Sequence, residues 1–336
     1  VGRTVTVTAD DSNGGTAAAS GTATIETDGT YTVSLDVSGL DDGSITITAD
    51  VSDLAGNTAT QATKTITLDD TAPTVTIATT LEGDNKVNAS EDGHVVVSGS
   101  SSGLESGRTV TVTLADSSST VSTTATVLGS GAWVAESADI SALTDGNITV
   151  TANASDTAGN AASAATKTIT LDNAAPTITI ATTLEGDNIV SSNEDDTVVI
   201  TGTTSGAADG QTVTVTFTDG TTTITKTTTV SSDAFTTSSA VADITNLNDG
   251  PITVTASVSD VAGNAAVAAT RTITLDNLAP QVSIDATLEV DNIVNNAEEG
   301  SVVVTGTSAG AVGRTVTVTA DDSNGGTAAA SGTATI

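Results

Sequence analysis

Apolar and polar residues alternate one by one along most of the chain. Val110 and Val112 alternate with Thr109, Thr111 and Thr113, and Ile148 and Val150 alternate with Thr149 and Thr151. A period of two in β-branched residues predicts strands with one face in a core and the other in water. Gly, Asp, Asn and Ser clusters interrupt these runs at intervals of about 8–12 residues, a spacing typical of two packed antiparallel sheets. No stretch shows sustained helical periodicity.

Between Ala175 and Asn277 seven such runs can be counted: PTITIATT, DTVVITGTT, GQTVTVTFTD, TTITKTTTV, AFTTSSAVADI, GPITVTASVSD and AATRTITLD. Seven strands in about 100 residues predict an immunoglobulin-like sandwich. The same pattern recurs along the chain. GRTVTV at Gly2 returns at Gly107, as GQTVTV at Gly210, and again at Gly313, in steps of 105, 103 and 103 residues. DLAGN at Asp53 returns as DTAGN at Asp156 and DVAGN at Asp260; LEGDN at Leu81 returns at Leu184 and as LEVDN at Leu288. The Ala-Pro prolines Pro73, Pro176 and Pro280 keep the same register, each opening a first strand where a missing N–H costs least.

These markers divide the chain into 1–70, the C-terminal part of a repeat; 71–173 and 174–277, two complete repeats; and 278–336, the N-terminal part of another. The fold expected is all-β, with tandem immunoglobulin-like sandwiches joined end to end by short linkers into a rod. Tyr31, Trp133 and Phe235 lie 102 residues apart each time, in the fifth strand, and are expected to fill the cores. Residues 1–25 and 312–336 are identical, so the larger repeating unit is 311 residues, three domains long. With no Met even at position 1, the chain is expected to be a piece of a longer tandem array.

Charge narrows the partners. The 336 residues carry 41 Asp and Glu against 8 Lys and Arg, a formal charge of −33. Such a surface repels nucleic acid and anionic lipid and attracts divalent cations. No apolar run is long enough to insert into a membrane. There is no Cys to form a disulfide. The hydrophobic fraction of 37% and its regular alternation set the chain apart from acidic disordered segments.

Strand direction then predicts where the carboxylates meet. In a seven-stranded sandwich the first-to-second, third-to-fourth and fifth-to-sixth loops lie at the C-terminal pole, and the sixth-to-seventh loop at the N-terminal pole. The linker acids Asp69, Asp70, Asp172 and Asp276 therefore face the D-x-A-G-N acids Asp156 and Asp260 of a following domain. Asp84 and Glu91, and Asp187 and Glu194, come from first-to-second loops. Carboxylates 4 Å apart repel by roughly 1 kcal/mol even in bulk water. A cation between them removes that repulsion, and Ca²⁺ suits such a set of carboxylate, amide and carbonyl oxygens. Zinc would want His or Cys. Asp and Asn are also ordinary turn residues, and for LTDG and DDSNGG the turn is the preferred reading.

The stretches SDTAGNAASAATKTITLDNAAPTITI (Ser155–Ile180) and LEGDNIVSSNEDDTVVITGTTSG (Leu184–Gly206) resemble the extender repeats of giant bacterial RTX adhesins and related biofilm-associated surface proteins. The likeness covers the whole chain. It implies immunoglobulin-like domains in long arrays, exported by type I secretion to the cell surface. It implies Ca²⁺ at the linkers, held by the linker and D-x-A-G-N acids, stiffening a spacer that projects a distal binding module. The second linker acid, Asp70, is replaced by Asn173 and Asn277 later, so affinities are expected to differ between linkers.

Other functions fit less well. His94 is the only histidine and occurs in one repeat only, so no catalytic set is expected. Thr-x-Thr rows are accounted for by β-propensity with solvent-facing Thr. The remaining alternative is a self-assembling extracellular filament or S-layer-type protein, with lateral or end-to-end self-association beyond the contacts between neighbouring repeats.

Overall fold

The computed structural model describes residues 1–13, 18–321 and 329–336. Residues 14–17 and 322–328 lie outside the described residues, and with them parts of the two identical segments and of the expected Asp10–Gly15 turn. Every regular element among the described residues is a strand, and no helix is long and apolar enough to cross a membrane. The chain forms two compact units, Val1–Ala174 and Ala175–Ile336.

The first unit begins with β1 (Thr4–Asp10), β2 (Ala19–Thr24), β3 (Gly43–Val51) and β4 (Ala62–Leu68), one sheet in the order β2-β1-β3-β4. It continues with β5 (Thr74–Ile77), β6 (Lys86–Asn88), β7 (Ser98–Ser102), β8 (Thr109–Ala115), β9 (Thr120–Thr126), β10 (Ala132–Val134), β11 (Gly146–Ala154) and β12 (Ala165–Asp172). These eight strands make a three-stranded sheet, β10-β7-β5, and a five-stranded sheet, β6-β12-β11-β8-β9.

The second unit repeats this plan with β13 (Thr177–Ile180), β14 (Ile189–Ser191), β15 (Thr201–Ser205), β16 (Thr212–Thr218), β17 (Thr223–Thr229), β18 (Ala234–Thr236), β19 (Gly250–Ser257) and β20 (Ala269–Asp276). Its sheets are β13-β15-β18 and β14-β20-β19-β16-β17. Two antiparallel strand pairs follow, β21 (Gln281–Ile284) with β22 (Gly306–Ala309), and β23 (Thr315–Ala320) with β24 (Ala330–Thr335).

Alternation sets the cores. Along β8, Val110, Val112 and Leu114 are fully buried while Thr109 and Thr111 face water. Ile148, Val150 and Ala152 of β11 meet them from the neighbouring strand. Each fully buried Val, Leu or Ile contributes about 1.5–3 kcal/mol. One core lies wholly within residues 75–171 and a second within 178–275. The sandwich of paired sheets is thus the all-β, immunoglobulin-like architecture that the strand count predicts.

Two features depart from the sequence reading. The first-to-second loop carries an extra short strand, β6 or β14, which runs parallel to the last strand of its domain, with Val87 opposite Leu171 and Val190 opposite Leu275. The chain thereby crosses from one sheet to the other before the second long strand. The aromatics also differ among themselves. Trp133 is buried opposite Gly99, and Phe235 opposite Gly202. A Cβ on Gly99 would lie 1.9 Å from the Thr76 carbonyl oxygen and 2.4 Å from the Trp133 ring, so only glycine admits the ring there. Tyr31, by contrast, is 43% exposed and fills no core, because residues 1–70 have no counterpart of the β5–β7 segment that covers the other two.

Candidate metal centre

The D-x-A-G-N loop closes on itself. Asp156 Oδ1 accepts the Gly159 and Asn160 N–H groups at 2.7 and 2.8 Å, and Oδ2 accepts Asn160 Nδ2 at 2.9 Å. Burial pushes the Asp156 carboxyl up, but the Asn160 bonds and then Gly159 outweigh it, and the group is held below its ordinary value. Asp260 takes the same bonds from Ala262 and Asn264, and Asp53 from Ala55 and Asn57. The loop acid therefore positions its Asn. In the first unit that Asn reaches the linker: Asn160 Nδ2 donates to the Asp69 carbonyl oxygen at 2.9 Å and lies 3.4 Å from Asp69 Oδ1.

The linkers are held from the other side by the L-x-D-G acids. Asp42 accepts the Asp70 N–H at 2.9 Å and the Thr71 hydroxyl at 2.5 Å. Asp145 and Asp249 accept the Asn173 and Asn277 N–H groups, each at 3.2 Å. A third acid joins them from the first-to-second loop. Asn173 Nδ2 donates to Asp92 at 3.0 Å, and Asn277 Nδ2 to Asp195 at 2.9 Å. The oxygen of each amide, Oδ1 of Asn173 and of Asn277, is buried without a hydrogen-bond partner. Asp172 and Asp276 each accept an N–H two residues on, from Ala174 and Leu278.

Charge crowds at the first linker. The Asp70 carboxyl is raised above its ordinary value, chiefly by its side-chain contact with Asp42 and then by the charges of Asp42 and Asp69. Asp42 is lowered, by the Thr71 hydroxyl first and then the Asp70 N–H. Among the described residues Lys86 and Asp84 form an ion pair, at 3.5 Å.

The first-to-second loop acids are engaged locally. Asp84 and Asp187 accept the N–H groups of Lys86 and Ile189, and Glu91 and Glu194 those of Asn88 and Ser191. Glu194 is lowered by the Ser191 N–H and hydroxyl. These four residues shape the turn that delivers Asp92 and Asp195. No three Asp, Glu, His or Cys side chains among the described residues converge as ligands of one ion.

The donor set still fits a hard cation. It offers carboxylates, main-chain carbonyls and amide oxygens, one of them orphaned in each of two successive repeats, and no cationic side chain. Sequence reasoning brings Asp145 to this pole but prefers LTDG as a turn, and it passes over Asp42 and Asp249, which look like ordinary Asp-Gly turns. The signal was there: each precedes its linker partner by 28 residues.

The bacterial Ig-like domain family (group 3) matches residues 29–137 and 132–235. Among solved structures, the chain is similar to a tetra-tandem repeat in the extending region of a large adhesion protein. That likeness has 31% identity, covers 99% of this chain and 81% of the other, and has a TM-score of 0.35. The chain is also similar to a Ca²⁺-stabilized adhesin with which an Antarctic bacterium binds ice (25% identity, 99% and 90% covered, TM-score 0.41). A 1.5-MDa bacterial ice-binding adhesin is similar at 26% identity, with 83% and 88% covered and a TM-score of 0.39. No curated protein matches the chain.

Proposed function

The chain belongs to the bacterial Ig-like domain family (group 3), and from that premise we propose that it is the extender of a bacterial surface adhesin, a spacer stiffened by Ca²⁺ at its linkers. The domains divide at 70/71, 173/174 and 277/278 and stack end to end into a rod, outside the cell. Its work is mechanical: it holds a distal binding module away from the surface for adhesion or biofilm formation. The recurring 103-residue period and the sequence likeness to the extending region of a large adhesion protein support this reading.

One observation carries the Ca²⁺ assignment. The amide oxygens of Asn173 and Asn277 are buried and unpartnered at the same place in successive repeats, each beside two hydrogen-bonded carboxylates. A buried polar oxygen without a partner costs about 1–3 kcal/mol, and a bound cation recovers that cost. Asp92, Asp145, Asp172 and Asn173 would hold the ion at one linker, and Asp195, Asp249, Asp276 and Asn277 at the next. Asp42, Asp69 and Asp70 would hold it at the first. Asp156 contributes by fixing Asn160, which meets the first linker, and Asp260 fixes Asn264 within its own loop in the same way. Asp84, Glu91, Asp187 and Glu194 contribute through the turn they cap.

Binding to the folded state alone at 100 times the dissociation constant stabilises by about 2.7 kcal/mol. Thermal melts in Ca²⁺ and in EGTA test this directly. A higher melting temperature in Ca²⁺, reduced by Asn173→Ala with Asn277→Ala, is expected. Superimposed melts would leave the orphan oxygens to water and remove Ca²⁺ from the account.

A further inference from the structure

In each complete repeat the first-to-second loop is built as a braced arch, and the last strand is tied to it. Glu82 and Asn85 sit at φ +48° and +67°, and Asn85 Oδ1 accepts the Leu81 N–H at 2.9 Å. Glu82 Oε1 accepts the Val96 N–H at 2.7 Å, which anchors the arch to the segment before β7. β6 leaves the arch beside β12. Thr170 N donates to the Asn85 carbonyl oxygen at 3.0 Å, and Thr170, Leu171 and Asp172 stand opposite Lys86, Val87 and Asn88. The second repeat copies these bonds, Leu184 N–H to Asn188 Oδ1, Val199 N–H to Glu185, and Thr274 N–H to the Asn188 carbonyl oxygen.

A cation adds a second tie. Lys167 shares the inward-facing register of β12 with Ile169 and Leu171. Its Nζ donates to the Thr79 carbonyl oxygen at 2.5 Å, where β5 passes into the arch, and so joins the two sheets. Arg271 of β20 donates to the Thr182 carbonyl oxygen in the same way. Lys64 holds the matching place in β4, so three of the chain's eight Lys and Arg stand at this one position.

We propose that the parallel pair and its cation form a tension latch, which sets the force at which each complete repeat opens. The proposal rests on the spacer reading, under which tension enters a repeat at one linker and leaves at the next. Tension then draws β5 and the start of β6 towards the N-terminal linker, and the end of β12 towards the C-terminal one. Because β6 and β12 run parallel, the two pulls oppose each other along the strands. The strand bonds and the Lys167 tie are thus loaded in shear and must break together. In an antiparallel pair the same pulls would act at one end and open the bonds singly. The chain between Asn88 and Thr170 lies behind the latch and adds no length until it slips. The latch is made of this chain's own groups and acts with or without Ca²⁺.

Single-molecule stretching of the whole chain by its two ends, in EGTA, tests the latch apart from any ion. Two openings of similar force are expected, one per complete repeat, each adding roughly 300 Å, about 100 residues at 3.3–3.6 Å less the folded length. Val87→Pro takes an N–H out of β6, and Lys167→Met removes the cation. Each should make one repeat open about three- to tenfold faster at fixed force, the worth of one net hydrogen bond, and leave the other repeat as it was. Val127→Ala, at a buried site outside the latch, should lower the melting temperature yet change opening less than about twofold, because the core is still closed when the latch slips. Should Val87→Pro fail to fold, Lys167→Met, at a half-buried site, decides alone. An opening rate that either substitution leaves unchanged, or that Val127→Ala moves as far, would overturn the latch. Openings that strengthen in Ca²⁺ yet ignore both substitutions would overturn it too and leave the spacer reading standing. Latch-dependent openings alongside superimposed melts in Ca²⁺ and EGTA would uphold the latch and remove only the ion.

Discussion

The described strands of the identical segments 1–25 and 312–336 pair in the same register in different company. Thr4 pairs with Thr24 through to Ala9 with Ala19, and Thr315 pairs with Thr335 through to Ala320 with Ala330. Register is therefore a property of the hairpin itself. Burial is not. Val5, Val7 and Ala9 are 2%, 7% and 0% exposed, because β3 bonds to β1 and brings Ile45 into a small core with Ala9 and Leu40. Val316 and Val318 are only half-buried, and Ala320 is exposed. Burial of Val5, Val7 and Ala9 thus depends on β3 lying beside β1.

The largest effect expected comes from removing that third strand's anchor. Ile45→Ala should cost about 2–5 kcal/mol in the first segment, as for other buried Ile→Ala changes. Hydrogen exchange would show it as lost protection over residues 43–51, with β16 and β19 of the second unit unchanged. Next comes the same substitution made in each copy. Val5→Ala should cost about 1.5–3 kcal/mol, close to the worth of a buried Val. Val316→Ala, in dilute solution, should cost under about 0.5 kcal/mol, as a poorly buried site does. Equal costs would mean that hairpin propensity and not β3 decides stability.

A smaller effect is expected at Val290. It has φ +73°, where the matching Gly83 and Gly186 have φ +86° and +84°. A β-branched residue is strained in this region by roughly 1–2 kcal/mol. Val290→Gly should therefore raise local protection in residues 278–311. Unchanged exchange there would show that the strain is not real.

The smallest effects are electrostatic and differ in sign. Asp116 is held far below the ordinary carboxylate range, first by the Thr144 N–H and then by those of Ser118 and Ser119. Asp219 is held as low, first by Thr222, then Asn248 and Thr221. Their contribution is present above the ordinary value of about 4 and is lost as pH falls below it. Asp70 runs the other way. Its raised carboxyl favours the fold below about 4 and loses that contribution as pH rises through its folded value. Asp70→Asn, the residue found at 173 and 277, should therefore stabilise the neutral protein in EGTA and lessen its gain from Ca²⁺. Acid titration of the melting temperature, for Asp116→Asn and Asp70→Asn separately, checks both signs.

Much of this was legible in the sequence, and the exceptions share a cause. Alternation gave β8, β11 and β12 directly, because one buried face imposes a period of two. Three-residue strands such as Ile189–Ser191 carry too little pattern to be seen, and they form only where β20 is already in place. Tyr31 keeps the aromatic spacing, yet its burial depends on strands that residues 1–70 do not contain. At the linkers the acids drew attention, whereas the structure gives the telling oxygens to Asn173 and Asn277. Their partners, Asp145 and Asp249, lie 28 residues away and read as plain turns.

The most direct measurement is small-angle scattering of the chain in Ca²⁺ and in EGTA. Ca²⁺-locked linkers predict a longer maximum dimension and a narrower distribution in Ca²⁺, both lost on chelation. Superimposable curves, with the dimension unchanged by the cation, would contradict the claim that Ca²⁺ at the linkers stiffens this chain.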